Sequence, residues 1–321
     1  MSTLFITESE VSRLISAADC VDALDHIFQS EVPGNYANHS RRRFLTPKGT
    51  FHFMEAYHLG LGRAAMKVYA SFRPATRFLV LLWDTESGDL LAQIEADKLG
   101  QLRTGAASGI ATKYMSNPDA ANLCVFGAGW QAESQILAIA AVRKLKRIMV
   151  YSRTEEKRTV FANRMHELTG IQTISAESPE QALDGAEIIV TATSSATPLF
   201  DGKLVQAGAH INAVGANMLN RAEIDRNLVG RCGKIVVDSI EQAKLEAGDL
   251  QQAVDGRRFR WEQAIELSDV VSGRFPGRSN AEEITLFKSN GIALEDLAAA
   301  SLVYDRAIAN GLGRPIELWQ G

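Results

Sequence analysis

Residues 123–132, LCVFGAGWQA, constrain the fold of this chain more than any other segment. A short apolar run ends at Gly127-Ala128-Gly129, an apolar helical pattern follows, and Ala132 takes the third position of the pattern G-x-G-x-x-G/A. Glycines allow a tight turn there and let the backbone approach a pyrophosphate at the positive end of the helix. Taken alone, the pattern also fits an ordinary pair of loop glycines. It predicts a strand, a glycine turn and a helix that together bind a dinucleotide.

The segments after the glycine turn alternate regularly between strand-like and helix-like patterns. We predict strands over 147–151, 171–175, 188–192, 210–214 and 234–237, with a helix over 155–168 and a short helix from Pro179. Strands and helices that alternate at these intervals require parallel crossovers. The fold class is therefore predicted to be α/β, with a Rossmann-type doubly wound parallel sheet, and this context turns the glycine pattern into a strong signal.

The end of the second strand of this unit bears on the choice of cofactor. NAD enzymes place an aspartate or glutamate there for the ribose hydroxyls, whereas this chain has Tyr151-Ser152-Arg153-Thr154. Serine, arginine and threonine suit a 2′-phosphate, so we predict that NADP(H) is preferred over NAD(H). The predicted cofactor-binding residues are Gly127, Ala128, Gly129, Gln131, Ala132, Ser152, Arg153, Thr154, Lys157, Thr191, Ala192, Thr193, Val214 and Gly215.

The first third of the chain has a different pattern. Thr7 with Glu10 and Ser16 with Asp19 form two capping boxes that predict two short helices. Strand patterns follow over 41–45, 51–54, 65–71, 77–84 and 90–95, and a last helix is predicted from residue 294 to Asn310-Gly311. This part is therefore predicted to be α+β, with the last helix packing back onto it.

Three basic sites in this region are chemically unusual. Lys67 interrupts an apolar strand and shares a face with Tyr69, which places it either toward solvent, the slightly favoured interpretation, or in a site. Arg41 and Arg43 share one face of their strand and form either a solvated edge or an anion site. Arg103, near the start of a predicted helix, opposes the helix dipole, so we expect a substrate or a cofactor phosphate to hold it.

Composition excludes several other classes of protein. The 321 residues are 46% hydrophobic with a net charge of −4 and no basic cluster of the kind that binds nucleic acid. We find no apolar run long enough for a membrane helix and no signal-peptide pattern at the start, and we predict a cytoplasmic protein. Cys20, Cys124 and Cys232 are interpreted as buried thiols, and the spacing of cysteine and histidine predicts no metal site.

These motifs occur together, in order, in one known family. They are Met54-Glu55-Ala56, Lys67, Leu102-Arg103-Thr104-Gly105-Ala106, the glycine turn, Val214-Gly215-Ala216-Asn217, and Glu283 to Ser289 with Gly291. With them, the chain resembles the ornithine cyclodeaminase and mu-crystallin family over nearly its whole length.

The resemblance implies a homodimer in which each subunit has a split substrate and dimerisation domain and a Rossmann domain. We place these domains at 1–117 with 299–321, and at 118–298. Arg41, Lys67 and Arg103 resemble the family residues that hold the substrate carboxylate or act near the nicotinamide, although Arg42 and Arg43 leave the register of the first one open. Lys67 and Arg103 are the predicted catalytic residues, and Asn217 is expected to contact the substrate.

Two departures from the family pattern narrow the expected reaction. Asn217 stands where ornithine cyclodeaminases carry an aspartate, and an amide cannot act as a general base. His52 or Phe53 stands where those enzymes carry a glutamate. We therefore predict an imino acid (ketimine) reductase acting on pyrroline-2-carboxylate or piperideine-2-carboxylate. The alternatives are an ornithine cyclodeaminase or amino-acid dehydrogenase, and a mu-crystallin-like protein that binds NADPH and a small ligand.

Overall fold

A computed structural model describes residues 2–30, 34–73 and 75–318. The chain forms two compact units, Met1–Arg103 with Gly291–Gly321, and Thr104–Asn290. These limits differ from the domain boundaries predicted at 117/118 and 298/299, because residue 298 lies inside a helix that belongs as a whole to the first unit. The assignment of functional domains to these units stays a prediction.

The chain contains helices and strands with the following bounds. The helices are α1 (Glu8–Leu14), α2 (Ala17–Gln29), α3 (Asp97–Met115), α4 (Trp130–Val142), α5 (Glu155–Thr169), α6 (Pro179–Leu183), α7 (Arg226–Val229), α8 (Ile240–Glu246), α9 (Gly248–Asp255), α10 (Leu267–Val271) and α11 (Ala293–Asn310). The strands are β1 (Thr3–Ile6), β2 (Tyr36–Asn38), β3 (Arg42–Thr46), β4 (Gly49–His58), β5 (Arg63–Phe72), β6 (Thr76–Asp84), β7 (Leu90–Glu95), β8 (Asn122–Phe126), β9 (Arg147–Tyr151), β10 (Gln172–Ser175), β11 (Ile188–Thr191), β12 (His210–Ala213), β13 (Lys234–Val237), β14 (Ala264–Glu266), β15 (Thr285–Lys288) and β16 (Arg314–Ile316).

The first unit is a mixed sheet with helices. Its strands follow the order β16-β1-β7-β6-β5-β4-β2, and β3 also pairs with β4. Both predicted capping boxes are present, one starting α1 and one starting α2. Helix α11 packs against β4 and β5 and ends at Gly311, whose left-handed φ of 63° favours glycine. The α+β prediction is therefore confirmed, and α11 lies over the strand that carries Lys67.

The second unit is an open parallel sheet. Its strands follow the order β10-β9-β8-β11-β12-β15-β13-β14, and every neighbouring pair is parallel. Successive residues of β8 enter different apolar clusters, Leu123 and Val125 one and Cys124 and Phe126 the other. The predicted Rossmann-type class is confirmed. Strand β15, which inserts between β12 and β13, was not predicted.

Two further observations concern the chain as a whole. None of the described helices combines the length and hydropathy that crossing a membrane requires. Within the described ranges, no group of three or more cysteine, histidine or acidic side chains is arranged to hold a metal ion. Cys20 is buried, and burial raises the pKa of its thiol to about 12, so that it stays protonated.

Candidate active site

The turn between β8 and α4 has the backbone geometry that its glycines suggest. Gly127 has a φ of 122°, and a Cβ placed on it would lie 2.4 Å from the carbonyl oxygen of Ala192. Gly129 precedes the first residue of α4, and a Cβ placed on it would meet no atom within 4 Å. Gly127 is thus required by the fold itself, whereas Gly129 leaves open space at the N-terminus of a 13-residue helix.

A groove of about 480 Å³ opens at this turn. Nine of the predicted cofactor residues line it, namely Gly127, Ala128, Gly129, Ser152, Arg153, Thr154, Lys157, Ala192 and Thr193. The other five, Gln131, Ala132, Thr191, Val214 and Gly215, are not among its lining residues. Ala132 is fully buried in an apolar cluster, where its small side chain serves packing.

The groove has the composition expected for a dinucleotide site. Ser152, Arg153 and Thr154 follow β9, Lys157 lies one turn into α5, and no aspartate or glutamate is among the described residues that line the groove. An open cradle at a helix N-terminus, next to two basic side chains, fits a nicotinamide dinucleotide. The residues present therefore fit a nicotinamide cofactor.

A buried carboxylate, Glu223, ties together two loops that follow neighbouring strands of this sheet. One of its oxygens accepts hydrogen bonds from the amide and hydroxyl of Thr193, at 2.7 and 2.6 Å. The other accepts from the Thr191 hydroxyl at 2.9 Å and the Gly215 amide at 2.6 Å. Thr191 and Gly215 thus fix the backbone at the ends of β11 and β12 through their hydrogen bonds to this buried carboxylate. The sequence did not reveal this role.

A buried ion pair supports the loop that carries Asn217. Lys288 Nζ lies 3.2 Å from Asp249 Oδ2, and it also donates to the carbonyl oxygens of Ala213 and Ala216. Asp249 Oδ1 in turn accepts from the amide of Glu223 at 2.6 Å. Asn217 directly follows Ala216 in the chain and is half-buried. A lysine at the end of the apolar strand TLFK was the sequence signal for this network.

In the first unit, Lys67 is buried rather than solvated. It lies on β5 opposite Met54 and Val80, and it is 2% exposed. Its Nζ donates to Asp296 Oδ1 at 2.9 Å. The slightly favoured interpretation of a solvent-facing lysine was therefore wrong, because α11 covers this face of the sheet and supplies a carboxylate.

Arg103 belongs to the same buried cluster. Its Nε donates to the same Asp296 Oδ1 at 2.9 Å, and its Nη1 donates to Glu295 Oε2 at 2.6 Å. Burial opposes its charge, but the carboxylates of Asp296 and Glu295 outweigh burial and raise its pKa. We expected a bound ligand to hold this arginine; in the structure two carboxylates of α11 hold it.

Arg41 reaches the cluster from the segment before β3. It is buried, and its Nη2 donates to the carbonyl oxygen of Gly291 at 3.0 Å. Gly291 has a φ of 75°, and a Cβ on it would lie 2.5 Å from Arg103 Nη1. Arg42, by contrast, is exposed and pairs with Glu55 at 2.7 Å. Arg41, Lys67 and Arg103 therefore converge around Gly291 and Asp296.

Burial and neighbouring charges shift the proton affinity of two groups here. Burial, followed by the charge of Arg103, lowers the pKa of Lys67 to about 8, although Asp296 opposes this shift. Burial and the charges of Arg43 and Arg41 lower the pKa of His52 to about 4. His52 stacks on Tyr69 with ring centres 4.0 Å apart. The ammonium of Lys67 is thus a stronger acid than that of an exposed lysine, and His52 is neutral near pH 7.

The sequence predicted a last helix from residue 294 but gave no role to Glu295 and Asp296 at its start. The available signal was a pair of acids inside an otherwise apolar stretch, and both are almost fully buried, at 0% and 1% exposure. Buried acids require partners. This rule points to the buried basic residues, although it does not identify which of them.

Comparisons with known proteins show which family the chain resembles. The family model described as "Ornithine cyclodeaminase/mu-crystallin family" matches residues 1–311. A Bacillus cereus protein named delta(1)-pyrroline-2-carboxylate reductase is 41% identical over 241 residues, 74% of each chain. The mouse protein named ketimine reductase mu-crystallin is 37% identical over 72% of this chain and 70% of its own.

A solved structure extends the similarity over the whole fold. It is that of Thermococcus litoralis delta(1)-pyrroline-2-carboxylate reductase in complex with NADH and L-proline. It has a TM-score of 0.93 and 31% identity, and the match covers 98% of this chain and 100% of that one.

Proposed function

The chain belongs to the ornithine cyclodeaminase/mu-crystallin family, as its motifs predict, and on that premise we propose that it is an NADP(H)-dependent imino acid reductase. Its substrate is a small α-imino carboxylate such as pyrroline-2-carboxylate or piperideine-2-carboxylate, and its product is an L-amino acid. The observation that carries this proposal is the buried convergence of Arg41, Lys67 and Arg103.

The cluster suits a carboxylate beside a C=N bond. Arg41 and Arg103 present guanidinium groups that can bind the substrate carboxylate, in bidentate form for the strongest contact. Lys67, with a pKa of about 8, is protonated near neutral pH and can donate a proton to the substrate nitrogen. When bound, the nicotinamide cofactor supplies the hydride. The protein contributes position, charge and the proton.

The reaction is tested with a panel of imino acids and amino acids, each assayed with NADPH and with NADH. We expect oxidation of NADPH with pyrroline-2-carboxylate or piperideine-2-carboxylate. Conversion of L-ornithine to proline and ammonia, without net cofactor consumption, would replace this proposal by the cyclodeaminase. Asn217 argues against that outcome, because its amide cannot take a proton. Tight binding of a small aromatic acid without turnover would favour a mu-crystallin-like binding protein.

The preference for NADP(H) is part of the proposal. It is supported by Ser152, Arg153, Thr154 and Lys157 along the groove and by the lack of an acid among its described lining residues. The Thermococcus litoralis enzyme was solved with NADH, so the preference needs a direct comparison. Titration of both reduced cofactors by fluorescence should give the lower Kd for NADPH. An equal or lower Kd for NADH would contradict it.

We also propose a homodimer located in the cytoplasm. An apolar groove on the sheet of the first unit is lined by Ala37, Ala56, Ala65, Met66 and Trp83, among others. An exposed apolar groove on a sheet suits contact with another protein surface. Light scattering coupled to gel filtration should give twice the mass of 35.0 kDa. A monomer at micromolar concentration would contradict the dimer.

A further inference from the structure

We propose that Asp296 is a positioning residue that holds Lys67 and Arg103 on one carboxylate oxygen and keeps Lys67 in its protonated form. Its neighbour Glu295 accepts a hydrogen bond from Arg103, and we assign to it the positioning of that arginine. The inference rests on the proposed function for its kinetic consequence, but not for the geometry or for the titration of Lys67. It gives the two buried acids of α11 separate tasks.

The position of these acids follows from the helix that carries them. Glu295 and Asp296 lie in the first turn of α11, where negative side chains are favoured by the helix dipole. Both are almost completely buried because α11 packs against β4 and β5. A buried carboxylate is stable only with charged or hydrogen-bonding partners. The partners here are the two residues that the family resemblance assigns to the substrate.

The hydrogen bonds of Asp296 are concentrated on one atom. Lys67 Nζ and Arg103 Nε each donate to Oδ1 at 2.9 Å, whereas Oδ2 accepts no hydrogen bond from any described residue. Gly100 on α3 also lies close to the ammonium, since a Cβ there would lie 3.1 Å from Lys67 Nζ. The contact between Lys67 and Asp296 is therefore packed closely against α3 at a residue without a side chain.

The groups around Lys67 act in opposite directions on its proton. Burial, Arg103 and Arg41 favour the neutral amine, whereas the charge and hydrogen bond of Asp296 favour the ammonium. Two aromatic rings face the ammonium, Tyr69 at 5.8 Å and Phe78 at 5.1 Å. His52 stacks on Tyr69, and its pKa of about 4 leaves it neutral near pH 7. Asp296 is thus the anion that offsets two neighbouring cations.

Asp296→Asn tests the inference because it keeps the shape of the side chain and removes its charge. A reductase that needs protonated Lys67 loses rate as the pH rises through the pKa of that lysine. Loss of an adjacent opposite charge should move this basic limb down by about 1 to 3 pH units. A basic limb at the wild-type pH in folded Asp296→Asn protein would overturn the proposal.

Glu295→Gln is the matched control on the neighbouring residue. It removes the negative charge of the carboxylate 2.6 Å from Arg103 Nη1, and Arg103 itself stays cationic at every working pH. We expect KM for the imino acid to rise about tenfold, as for loss of one charged hydrogen bond, with the basic limb unmoved. A limb that moves as far as in Asp296→Asn would overturn the division of tasks.

A measurement without substrate separates this inference from the proposed function. The titration of Lys67 is followed by NMR in protein labelled with [ε-13C]lysine, with the signal assigned by Lys67→Met. If no imino acid is reduced but Asp296→Asn lowers the Lys67 pKa, the positioning role stands and the proposed function fails. An unchanged pKa overturns the positioning role whatever the activity.

Gly100→Ala provides a second variant if Asp296→Asn does not fold. Its Cβ should press on Lys67 Nζ from 3.1 Å, weakening the contact with Asp296 while all charges remain. The Lys67 pKa should then fall in the same direction by a smaller amount. A Lys67 pKa that stays or rises would contradict the model.

Discussion

The glycine turn and the buried cation cluster are built by different means. The turn is made of backbone within a few consecutive residues, Gly127 to Gly129, and its geometry depends on the φ of Gly127 and on the close approach of the Ala192 carbonyl. The cluster joins side chains from distant segments, since Lys67 and its partner Asp296 are 229 residues apart. The turn should therefore be sensitive to the shape of a residue, and the cluster to its charge.

Removing the amine of Lys67 should give the largest effect. Loss of a positioned proton donor costs on the order of 10² to 10⁴ in rate, so we expect Lys67→Ala to lower kcat by about 10³ with the Kd for NADPH unchanged. Lys48→Ala, in the exposed turn between β3 and β4, is the control and should keep its turnover. Circular dichroism establishes that both variants are folded. If Lys67→Ala kept its turnover, or lost as much affinity for NADPH as it lost turnover, the glycine turn and the cation cluster would not have separate roles.

Two substitutions of glycine by alanine separate folding from binding within the turn. Gly127→Ala combines a φ of 122° with a Cβ only 2.4 Å from Ala192, which should cost at least 1 to 3 kcal/mol of unfolding free energy, an order-of-magnitude figure. Gly129→Ala has open space around its Cβ and should keep its stability within about 0.5 kcal/mol while weakening binding of the dinucleotide. Urea unfolding and cofactor titration measure the two effects. Equal destabilisation by both variants would contradict this account.

The difference between the regions also explains which features could be predicted from sequence. The strand, turn and helix around Gly127, the capping boxes and the order of elements depend on residues close in sequence, and these predictions agree with the structure. The place of β15 was not predicted, because the partner of a parallel strand is fixed by packing rather than by its own pattern.

The cation cluster was predicted by residue type but not by environment. Alternation placed Lys67 and Tyr69 on one face, and the structure agrees, with Nζ 5.8 Å from that ring. Alternation cannot show what covers that face, and so it slightly favoured a solvent-exposed Lys67. In the structure α11 covers the lysine and places Asp296 beside it. For the same reason the sequence did not show that Glu295 and Asp296 pair with Arg103. The identity of a buried counterion depends on tertiary contacts that a single sequence does not reveal.

A smaller effect is expected at the rim of the groove. Arg153 is exposed, and its contact with a 2′-phosphate should contribute about 1.4 kcal/mol, so Arg153→Ser should raise the Kd for NADPH about tenfold and leave that for NADH unchanged. Lys146→Ala, an exposed lysine just before the other end of β9, is the control. Equal weakening of NADPH and NADH would show that Arg153 does not distinguish the cofactors.

A further effect concerns acid stability and compares the two units directly. Burial and the charges of Arg43 and Arg41 lower the pKa of His52 to about 4, whereas in the unfolded chain it is about 6.5. Between these values the unfolded state binds more protons, so the free energy of unfolding falls as the pH falls, by up to about 1.4 kcal/mol per pH unit. His210 in the second unit has its pKa lowered to about 3, mainly by burial, and acts in the same direction.

His52→Phe should keep the stacking on Tyr69 and remove the first of these two contributions. Hydrogen exchange measured by mass spectrometry between pH 7 and pH 4.5, corrected for the intrinsic exchange rate, reports on each unit separately. We expect the slowest peptides of the first unit to lose less protection on acidification than in the wild type, and those of the second unit to behave as before, because His210 is unchanged. If wild type and His52→Phe lost the same protection in the first unit on acidification, His52 would be protonated in the folded state. This result would contradict the burial of His52 beside the cation cluster.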